Sequence, residues 1–315
     1  MGLFPGFESR RVRANGVTLN AVVGGSGPPV AMLHGYPQSH VMWHRVAPRL
    51  ARHYTVVCPD LRGYGDSSKP RGLPDHSNYS KRVMALDVVE LMRKLGHASF
   101  HLVGHDRGAR VGHRLARDHA SAVVRSFTAI DIVPTLHAFG STDMAFARAY
   151  YHWFLMLQPA PLPEQMLGPL LPQAILAGSA LGGQGLKVFS KAALAEYVRT
   201  FADARTVHAT CEDYRAAGGI DLDHDRADLG RKSDVPMLVL WGSRGTVGRQ
   251  FDCLASWREV ARHVSGRALD CGHFAAEEAP SETLAEVSAF LARHAWAAGP
   301  STTRTPRTPR TRRTR

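Results

Sequence analysis

The sequence predicts an α/β protein in which helices flank a mostly parallel β-sheet and an inserted helical segment interrupts the alternation. Short apolar runs rich in β-branched residues alternate with longer segments of helical periodicity. The alternation stops after residue 131 and resumes at residue 237. With 315 residues, the chain is long enough to bury a substantial core in one large domain that carries an insertion.

Seven apolar runs are predicted to be strands. A Gly/Pro turn, GGSGPP, separates the first two of them, and the fifth ends at Asp131. The predicted strands are residues 17–23, 30–33, 55–58, 100–103, 123–130, 237–241 and 266–269. The predicted helices are residues 43–52, 79–95, 109–118, 253–262 and 280–294.

These patterns divide the chain into four parts. Residues 1–131 and 233–298 are predicted to form the two parts of one α/β core. Residues 132–232 are rich in Ala, Leu, Pro and aromatic side chains and lack the strand-turn-helix alternation, so they are predicted to form a helical cap. Because ligands of such sheets bind at the carboxyl ends of the strands, a cap inserted there would cover the site. Residues 299–315 are predicted to be a disordered, Arg-rich tail.

Composition and the N-terminal residues exclude several classes of protein. The chain has 44% hydrophobic and 21% charged residues, as in ordinary globular proteins. No apolar run is long enough to cross a bilayer and no apolar signal segment follows the start, so we expect a cytoplasmic protein with no membrane partner. The four cysteines form no C-x-x-C pair, which indicates free thiols rather than disulfides or a zinc site. We expect neither a metal nor another cofactor.

The positive charge is concentrated at the C-terminal end. The last fifteen residues contain six arginines and no acid, which supply half of the formal net charge of +12. Such a segment can bind nucleic acid or anionic surfaces weakly and in a salt-dependent way. We expect a solvated appendage with no specific nucleic-acid partner. The sequence leaves a homodimer open.

The segment FHLVGHDRGAR, residues 100–110, carries the strongest chemical signal. A predicted strand runs into Gly-His-Asp-Arg-Gly and a predicted helix follows, which is the pattern of a nucleophile elbow with aspartate in the place of serine. The small residues allow a strained turn that lifts Asp106 into the cleft, near a helix N-terminus where a carboxylate is favoured. We predict that Asp106 is the nucleophile, although the pentapeptide alone would also fit a helix N-cap.

Two further residues are predicted to complete a catalytic triad. Enzymes with this elbow present nucleophile, acid and histidine in that order along the chain. His273 lies in DCGHF, between the last predicted strand and the last predicted helix, and is the predicted base. The usual acid position after residue 241 holds Ser-Arg-Gly, so we assign Asp131, at the end of the preceding strand, as the acid that orients His273.

An aspartate nucleophile limits the chemistry. Attack on an ester would give an anhydride, whereas attack on an sp³ carbon with a leaving group gives an alkyl ester that water activated by His273 can hydrolyse. The backbone N–H groups of Tyr36, in the HGYP loop after an early strand, and of Arg107 are predicted to form the oxyanion hole. Halide displacement and epoxide opening both fit this machinery.

With these residues in view, the sequence resembles the haloacetate (fluoroacetate) dehalogenases of the α/β-hydrolase superfamily over about residues 4–296. The motifs that carry the resemblance are GHDRGAR, IDIVPT, YHWFLMLQPAPLPE, CEDYRA, WG-x-x-G-x-VGR and DCGHF. The resemblance implies an α/β-hydrolase fold, a mostly parallel sheet flanked by helices with an inserted helical cap. It also implies the triad of Asp106, Asp131 and His273.

The resemblance implies roles for five more side chains. Arg107 and Arg110 would bind the carboxylate of an anionic small-molecule substrate, and His152, Trp153 and Tyr214 would receive the departing halide. The residue types agree with these roles, since arginine pairs bidentately with carboxylates and two arginines three positions apart can share one helix face. Imidazole, indole and phenol groups offer the N–H and O–H donors that a halide needs.

Three hypotheses for the function remain, and haloacetate dehalogenase is the first. An epoxide hydrolase would use the same machinery with two cap tyrosines, Tyr214 and one of Tyr150, Tyr151 or Tyr197, but an epoxide carries no carboxylate for the paired arginines. A non-enzymatic ligand-binding protein on the same fold would not need an intact triad. Release of halide from fluoroacetate or chloroacetate, compared with opening of styrene oxide, separates the three.

Overall fold

A single sheet of eight strands organises the part of the chain that the computed structural model describes, residues 2–167, 170–178 and 184–295. The order is β1-β2-β4-β3-β5-β6-β7-β8, with β2 antiparallel to both of its neighbours and the remaining pairs parallel. The strands are Phe7–Ala14 (β1), Val17–Gly24 (β2), Pro29–Leu33 (β3), Thr55–Pro59 (β4), Phe100–His105 (β5), Val124–Ile130 (β6), Met237–Gly242 (β7) and Val264–Leu269 (β8).

Strand β1 is a strand that the sequence analysis missed. Its residues, FESRRVRA, are mostly exposed, and it pairs on one side only, with β2. An edge strand that is exposed on most positions shows little of the alternation by which strands are recognised. The seven predicted strands are all present; the last begins two residues earlier than expected, at Val264.

Helices cover the sheet, and the described residues between β6 and β7 contain helices and no strand. The helices outside this stretch are Ala47–Leu50 (α1), Lys81–Lys94 (α2), Arg107–Asp118 (α3), Ala120–Val123 (α4), Thr246–Gln250 (α13), Cys253–Arg258 (α14), Ala275–Glu278 (α15) and Pro280–Arg293 (α16). Those between β6 and β7 are Thr135–Gly140 (α5), Met144–Ala149 (α6), Tyr151–Met156 (α7), Leu162–Leu167 (α8), Leu170–Ala177 (α9), Lys191–Phe201 (α10), Ala204–Gly218 (α11) and Ile220–Ala227 (α12).

Two predicted helices are shorter than expected. The one predicted at residues 43–52 is a 3-10 helix, His40–Trp43, followed by the four-residue α1. Pro48 lies in the first turn of α1, where its missing N–H costs nothing, whereas the interior of a longer helix would lose a hydrogen bond there. The helix predicted at residues 253–262 ends at Arg258.

Buried polar contacts join the helices between β6 and β7 to the rest of the molecule. The ammonium group of Lys81, on α2, contacts the carboxylates of Asp213 on α11 and Asp221 on α12. Lys81 and Asp213 are almost fully buried. These helices are therefore attached to the rest of the molecule by charge as well as by apolar packing.

Among the described residues, none of the helices combines the length and the apolar character that crossing a bilayer requires. All four cysteines are buried and free, as expected from their spacing. The predicted tail at residues 299–315 lies outside the described residues.

Candidate active site

Asp106 follows the last residue of β5 and immediately precedes α3, at the carboxyl edge of the sheet. Its backbone has φ of 47° and ψ of −117°, a strained conformation for a residue with a side chain. The turn is held by very close packing, because a Cβ on Gly108 would lie 2.4 Å from the carbonyl oxygen of His34. A Cβ on Gly104 would lie 2.7 Å from the backbone nitrogen of Ala109. The predicted elbow therefore has the geometry that its small residues suggest.

The structure brings His273 and Asp131 together beside this elbow. The Nδ1 atom of His273 lies 2.5 Å from Oδ2 of Asp131, and the other carboxylate oxygen accepts from the backbone N–H of Gly242 at 2.9 Å. Both side chains are buried. Because a carboxylate accepts hydrogen bonds, Nδ1 carries the proton and Nε2 of His273 is left to act as a base.

The field of the site separates the ionisation of Asp106 from that of His273. Burial alone would raise the pKa of Asp106, but the positive charges of His273, Arg107 and Arg110 outweigh it and lower that pKa. Burial alone would lower the pKa of His273, but the hydrogen bond and charge of Asp131, with the charge of Asp106, outweigh it and raise that pKa. The elbow carboxylate is therefore ionised over a wide pH range.

The predicted oxyanion hole contains one hydrogen bond that is already formed. The backbone N–H of Tyr36 donates to Oδ1 of Asp106 at 2.9 Å. Gly35 makes this approach possible, since a Cβ there would lie 2.5 Å from Cβ of Asp106. Arg107 is the first residue of α3, where backbone N–H groups have no acceptor within the helix.

Asp213 and Tyr214 hold the guanidinium of Arg107 in place. Its Nε and Nη2 atoms donate to Oδ2 and Oδ1 of Asp213 at 2.8 and 3.0 Å, and its guanidinium lies 4.0 Å from the ring centre of Tyr214. The Nη1 atom is buried and has no partner among the described residues. Asp213 thus occupies the Nε and Nη2 side of the Arg107 guanidinium, and the Nη1 amino group remains for a ligand.

Arg110 is also anchored and also keeps an unused donor. Its Nη1 atom donates to Oγ1 of Thr135 at 2.9 Å and to the carbonyl of Val133 at 3.2 Å. Its Nε atom is buried without a partner in the described part of the chain. Burial, and then the charge of Arg107, lower the pKa of Arg110 to about 10, so the guanidinium stays charged near neutral pH.

His152, Trp153 and Tyr214 come together on the helices above the elbow. The ring centre of Tyr214 lies 6.1 Å from that of His152 and 6.0 Å from that of Trp153. Nδ1 of His152 and Nε1 of Trp153 are buried without partners among the described residues. Burial lowers the pKa of His152 to about 3 and raises the pKa of Tyr214, so the imidazole is neutral and the phenol keeps its proton.

Asp213 is the main site residue that the sequence analysis missed. Besides Arg107, it contacts the ammonium of Lys81 and accepts from the hydroxyl of Tyr64 at 2.7 Å. Burial would raise the pKa of Asp213, but Arg107 and Lys81 outweigh it, and the pKa is strongly lowered. The available signal was an acid directly before Tyr214 in the CEDYRA motif.

The three tyrosines that could accompany Tyr214 in an epoxide hydrolase lie in different surroundings. Tyr151 is 45% exposed, and the hydroxyl of Tyr197 donates to Glu277 at 2.7 Å. Tyr150 is buried beside Trp153, with ring centres 5.2 Å apart. Tyr150 is therefore the better companion for Tyr214.

One cluster of the described residues has the composition of a metal site. Glu164, His208 and Glu212 hold ligand atoms within 4.8 Å of one another. Nη1 of Arg215 donates to both carboxylates at 2.7 Å, so a cation already balances their charge. This cluster does not include the triad.

Comparison with known proteins agrees with the fold. The α/β hydrolase fold family matches residues 28–280. Fluoroacetate dehalogenase of Burkholderia sp. is 47% identical over 291 residues, which is 92% of this chain and 95% of that protein. Soluble epoxide hydrolase of Corynebacterium sp. (strain C12) is 33% identical over 287 residues, 88% of this chain and 95% of the relative. The crystal structure of an α/β hydrolase from Nostoc sp. PCC 7120 has a TM-score of 0.87 at 52% identity and covers 90% of this chain and 98% of its own.

The fold and the elbow define an α/β-hydrolase, as the sequence predicted. Within that superfamily the chain belongs to the haloacetate (fluoroacetate) dehalogenase family, which the resemblance also predicted. It is accordingly an enzyme of the hydrolase class.

Proposed function

We propose that the protein is a dehalogenase that converts fluoroacetate or chloroacetate to glycolate and halide through an ester on Asp106. The observation that carries the proposal is a buried carboxylate of lowered pKa at a strained elbow, near guanidinium, imidazole and indole nitrogens that have no partner among the described residues. The relative that is 47% identical and is named fluoroacetate dehalogenase supports the same substrate class.

In the first step, a carboxylate oxygen of Asp106 attacks the carbon that bears the halogen. The new C–O bond forms as the carbon–halogen bond breaks, and the halide leaves with the bonding electrons. Donors from His152, Trp153 and Tyr214 would stabilise the charge as it develops on the halide. Nδ1 of His152 and Nε1 of Trp153 support this role, because they are buried without partners among the described residues, and a buried donor in that state favours an anion that supplies the missing acceptor.

In the second step, Nε2 of His273 removes a proton from water, and the water oxygen attacks the ester carbonyl carbon of Asp106. The backbone N–H groups of Tyr36 and Arg107 would stabilise the tetrahedral oxyanion. The intermediate collapses by breaking the bond to the glycolate oxygen, which takes the proton from His273. The released carboxylic acid of Asp106 then ionises to regenerate the nucleophile.

Recognition of the substrate carboxylate would come from the free N–H groups of Arg107 and Arg110. Both arginines are buried, and within the described part of the chain Arg107 is paired with an acid, Asp213, whereas Arg110 is not. A substrate anion would therefore balance the remaining positive charge in a setting where such contacts are strong.

The test is halide release together with capture of the ester. The parent protein should release halide from fluoroacetate and chloroacetate, and His273→Ala should accumulate a carboxymethyl adduct on the peptide that contains Asp106, because the general base is absent. His53→Ala, at an exposed histidine, is the matched control and should turn over normally. Absence of halide release from both substrates, or an adduct on another residue, would contradict the proposal.

Epoxide hydrolysis is the second candidate, favoured by one observation: Tyr150 and Tyr214 are both buried near Asp106. The Corynebacterium relative supports it as well. Arg110→Leu separates the two, because only a haloacetate uses the arginine. It should lower kcat/KM for haloacetates roughly 100-fold and leave styrene oxide opening, if the parent has it, unchanged.

A further inference from the structure

The loop that carries His273 is held by two side chains outside the triad. The carboxylate of Glu278 accepts from the backbone N–H groups of Gly272 at 2.9 Å and of Phe274 at 3.1 Å. On the opposite side of the same peptide, the carbonyl oxygen of His273 lies 2.8 Å from Nε2 of His105. The peptide group between His273 and Phe274 is thus clamped at its N–H by Glu278 and at its carbonyl by His105.

The contact between His105 and His273 defines the tautomer of His105. A carbonyl oxygen can only accept, so Nε2 of His105 carries the proton and donates. The Nδ1 atom then carries a lone pair instead of a proton, and it is buried without a partner among the described residues. Burial, and then the charge of His273, lower the pKa of His105 to about 4, so this imidazole stays neutral beside the base.

The position of His105 in the chain links this hydrogen bond to the elbow. His105 is the last residue of β5, and the next residue is Asp106. The ring centres of His105 and His273 are 4.6 Å apart. One strand end therefore fixes both the nucleophile and the loop of the base, while Asp131 fixes only the imidazole ring of His273.

We propose that His105 is a positioning residue for hydrolysis of the ester, acting through its hydrogen bond to the backbone carbonyl of His273. This inference rests on the proposed function. The first step needs only Asp106 and the substrate, whereas the second needs Nε2 of His273 aligned with a water and the ester carbon. Loss of the hydrogen bond therefore slows the second step selectively.

The kinetic test uses two variants and rapid-quench mass spectrometry with chloroacetate. His105→Leu removes the donor and keeps apolar bulk; the ester on Asp106 should accumulate, with its hydrolysis slowed at least about tenfold and its formation changed less than about threefold. His105→Gln places an amide N–H near the position of Nε2, and it should restore hydrolysis to within about threefold of the parent.

The matched control is His101→Leu. His101 is a buried histidine of the same strand, its Nδ1 lies 2.7 Å from Oγ of Ser126, and burial lowers its pKa to about 4 as well. Its replacement should leave the ratio of the two step rates unchanged. Equal slowing of both steps in His105→Leu, or failure of His105→Gln to restore hydrolysis, overturns the inference.

Amide hydrogen exchange tests the same clamp without any substrate. Peptides that cover residues 271–275 should exchange faster in His105→Leu than in the parent, and at the parental rate in His105→Gln and His101→Leu. Unchanged exchange in His105→Leu contradicts the clamp even if the protein has no haloacetate activity. If exchange is faster in His105→Leu but the parent releases no halide, the clamp stands and only the proposed function is rejected.

Discussion

The surroundings of Asp106 and His273 shift the pKa values of these two residues in opposite directions. Asp106 has a lowered pKa and His273 a raised one, and Asp131 continues to act on His273 after the ester forms. In the proposed mechanism, Asp106 attacks as the anion and His273 acts as a base in its neutral form. Each step is therefore lost as pH falls through the pKa of its own group, and the two losses occur in different pH ranges.

This separation predicts two acid limbs. Ester formation should persist below the ordinary aspartate value of about 3.9, as long as the fold survives, while ester hydrolysis should fall with a midpoint above the ordinary histidine value of about 6.5. Single-turnover rates of both steps, measured between about pH 3 and pH 9, check this. A shared acid limb for the two steps would show that the carboxylate and the imidazole do not titrate separately.

The proposed halide donors, His152, Trp153 and Tyr214, predict an effect that depends on the leaving group. Fluoride is strongly hydrated and leaves poorly, so its departure needs donors aimed at the developing charge more than that of chloride does. Trp153→Phe and Tyr214→Phe keep aromatic bulk, and each should lower kcat/KM for fluoroacetate at least about tenfold more than for chloroacetate. Equal losses on the two substrates would reduce these side chains to packing.

At the scale of elements, the junction between β5 and α3 has almost no spare room. A Cβ on Gly108 would lie 2.4 and 2.5 Å from the carbonyl oxygens of His34 and Leu33, and backbone atoms cannot move away as a flexible side chain can. Gly108→Ala should therefore cost at least about 3 kcal/mol of unfolding free energy, measured by urea denaturation. Gly140→Ala, at the end of α5 with nothing within 4 Å of the added Cβ, should be neutral or slightly stabilising.

Elements with a strong local pattern could be predicted, and those defined by their neighbours could not. The buried strand β5 and the helix α2 were predicted to within two residues, since their apolar periodicity is local. Strand β1 was missed because it pairs with one strand only and is largely exposed, so its residues show little hydrophobic alternation. The helix predicted at residues 43–52 was too long because Pro48 lies in the first turn of a new, shorter helix. Secondary structure that depends on long-range pairing leaves little trace in a short window of sequence.

The same distinction applies to the site. Asp106, Asp131 and His273 were predicted because each follows a recognisable strand, and the structure brings the last two within hydrogen-bond distance. Asp213 and His105 act through partners 106 and 168 residues away along the chain, and nothing local reveals such a pairing. The catalytic roles themselves stay predictions that the experiments above address.

At the scale of the whole molecule, Lys81 joins the core to the helices between β6 and β7. It is 3% exposed and contacts the carboxylates of Asp213 and Asp221. Lys81→Met leaves buried acids with less compensation, and such a loss typically costs about 3–5 kcal/mol of stability, measurable by thermal or urea denaturation. Lys94→Met, at an exposed end of the same helix, should change stability by less than about 0.5 kcal/mol. Similar stabilities of the two variants would mean that this charged contact contributes little to attachment.

The ion pair between Arg107 and Asp213 has a consequence for chimeric proteins. Arg107 belongs to the segment that holds the elbow, whereas Asp213 belongs to the helices inserted between β6 and β7. Exchanging the insertion between related enzymes would change the donors around the leaving group and, at the same time, the acid that orients Arg107. A donor insertion without an acid at that position would leave a buried guanidinium unpaired. Under the proposed roles, exchange of the insertion changes leaving-group preference and also alters recognition of the substrate carboxylate, unless the donor insertion supplies an acid at the position of Asp213.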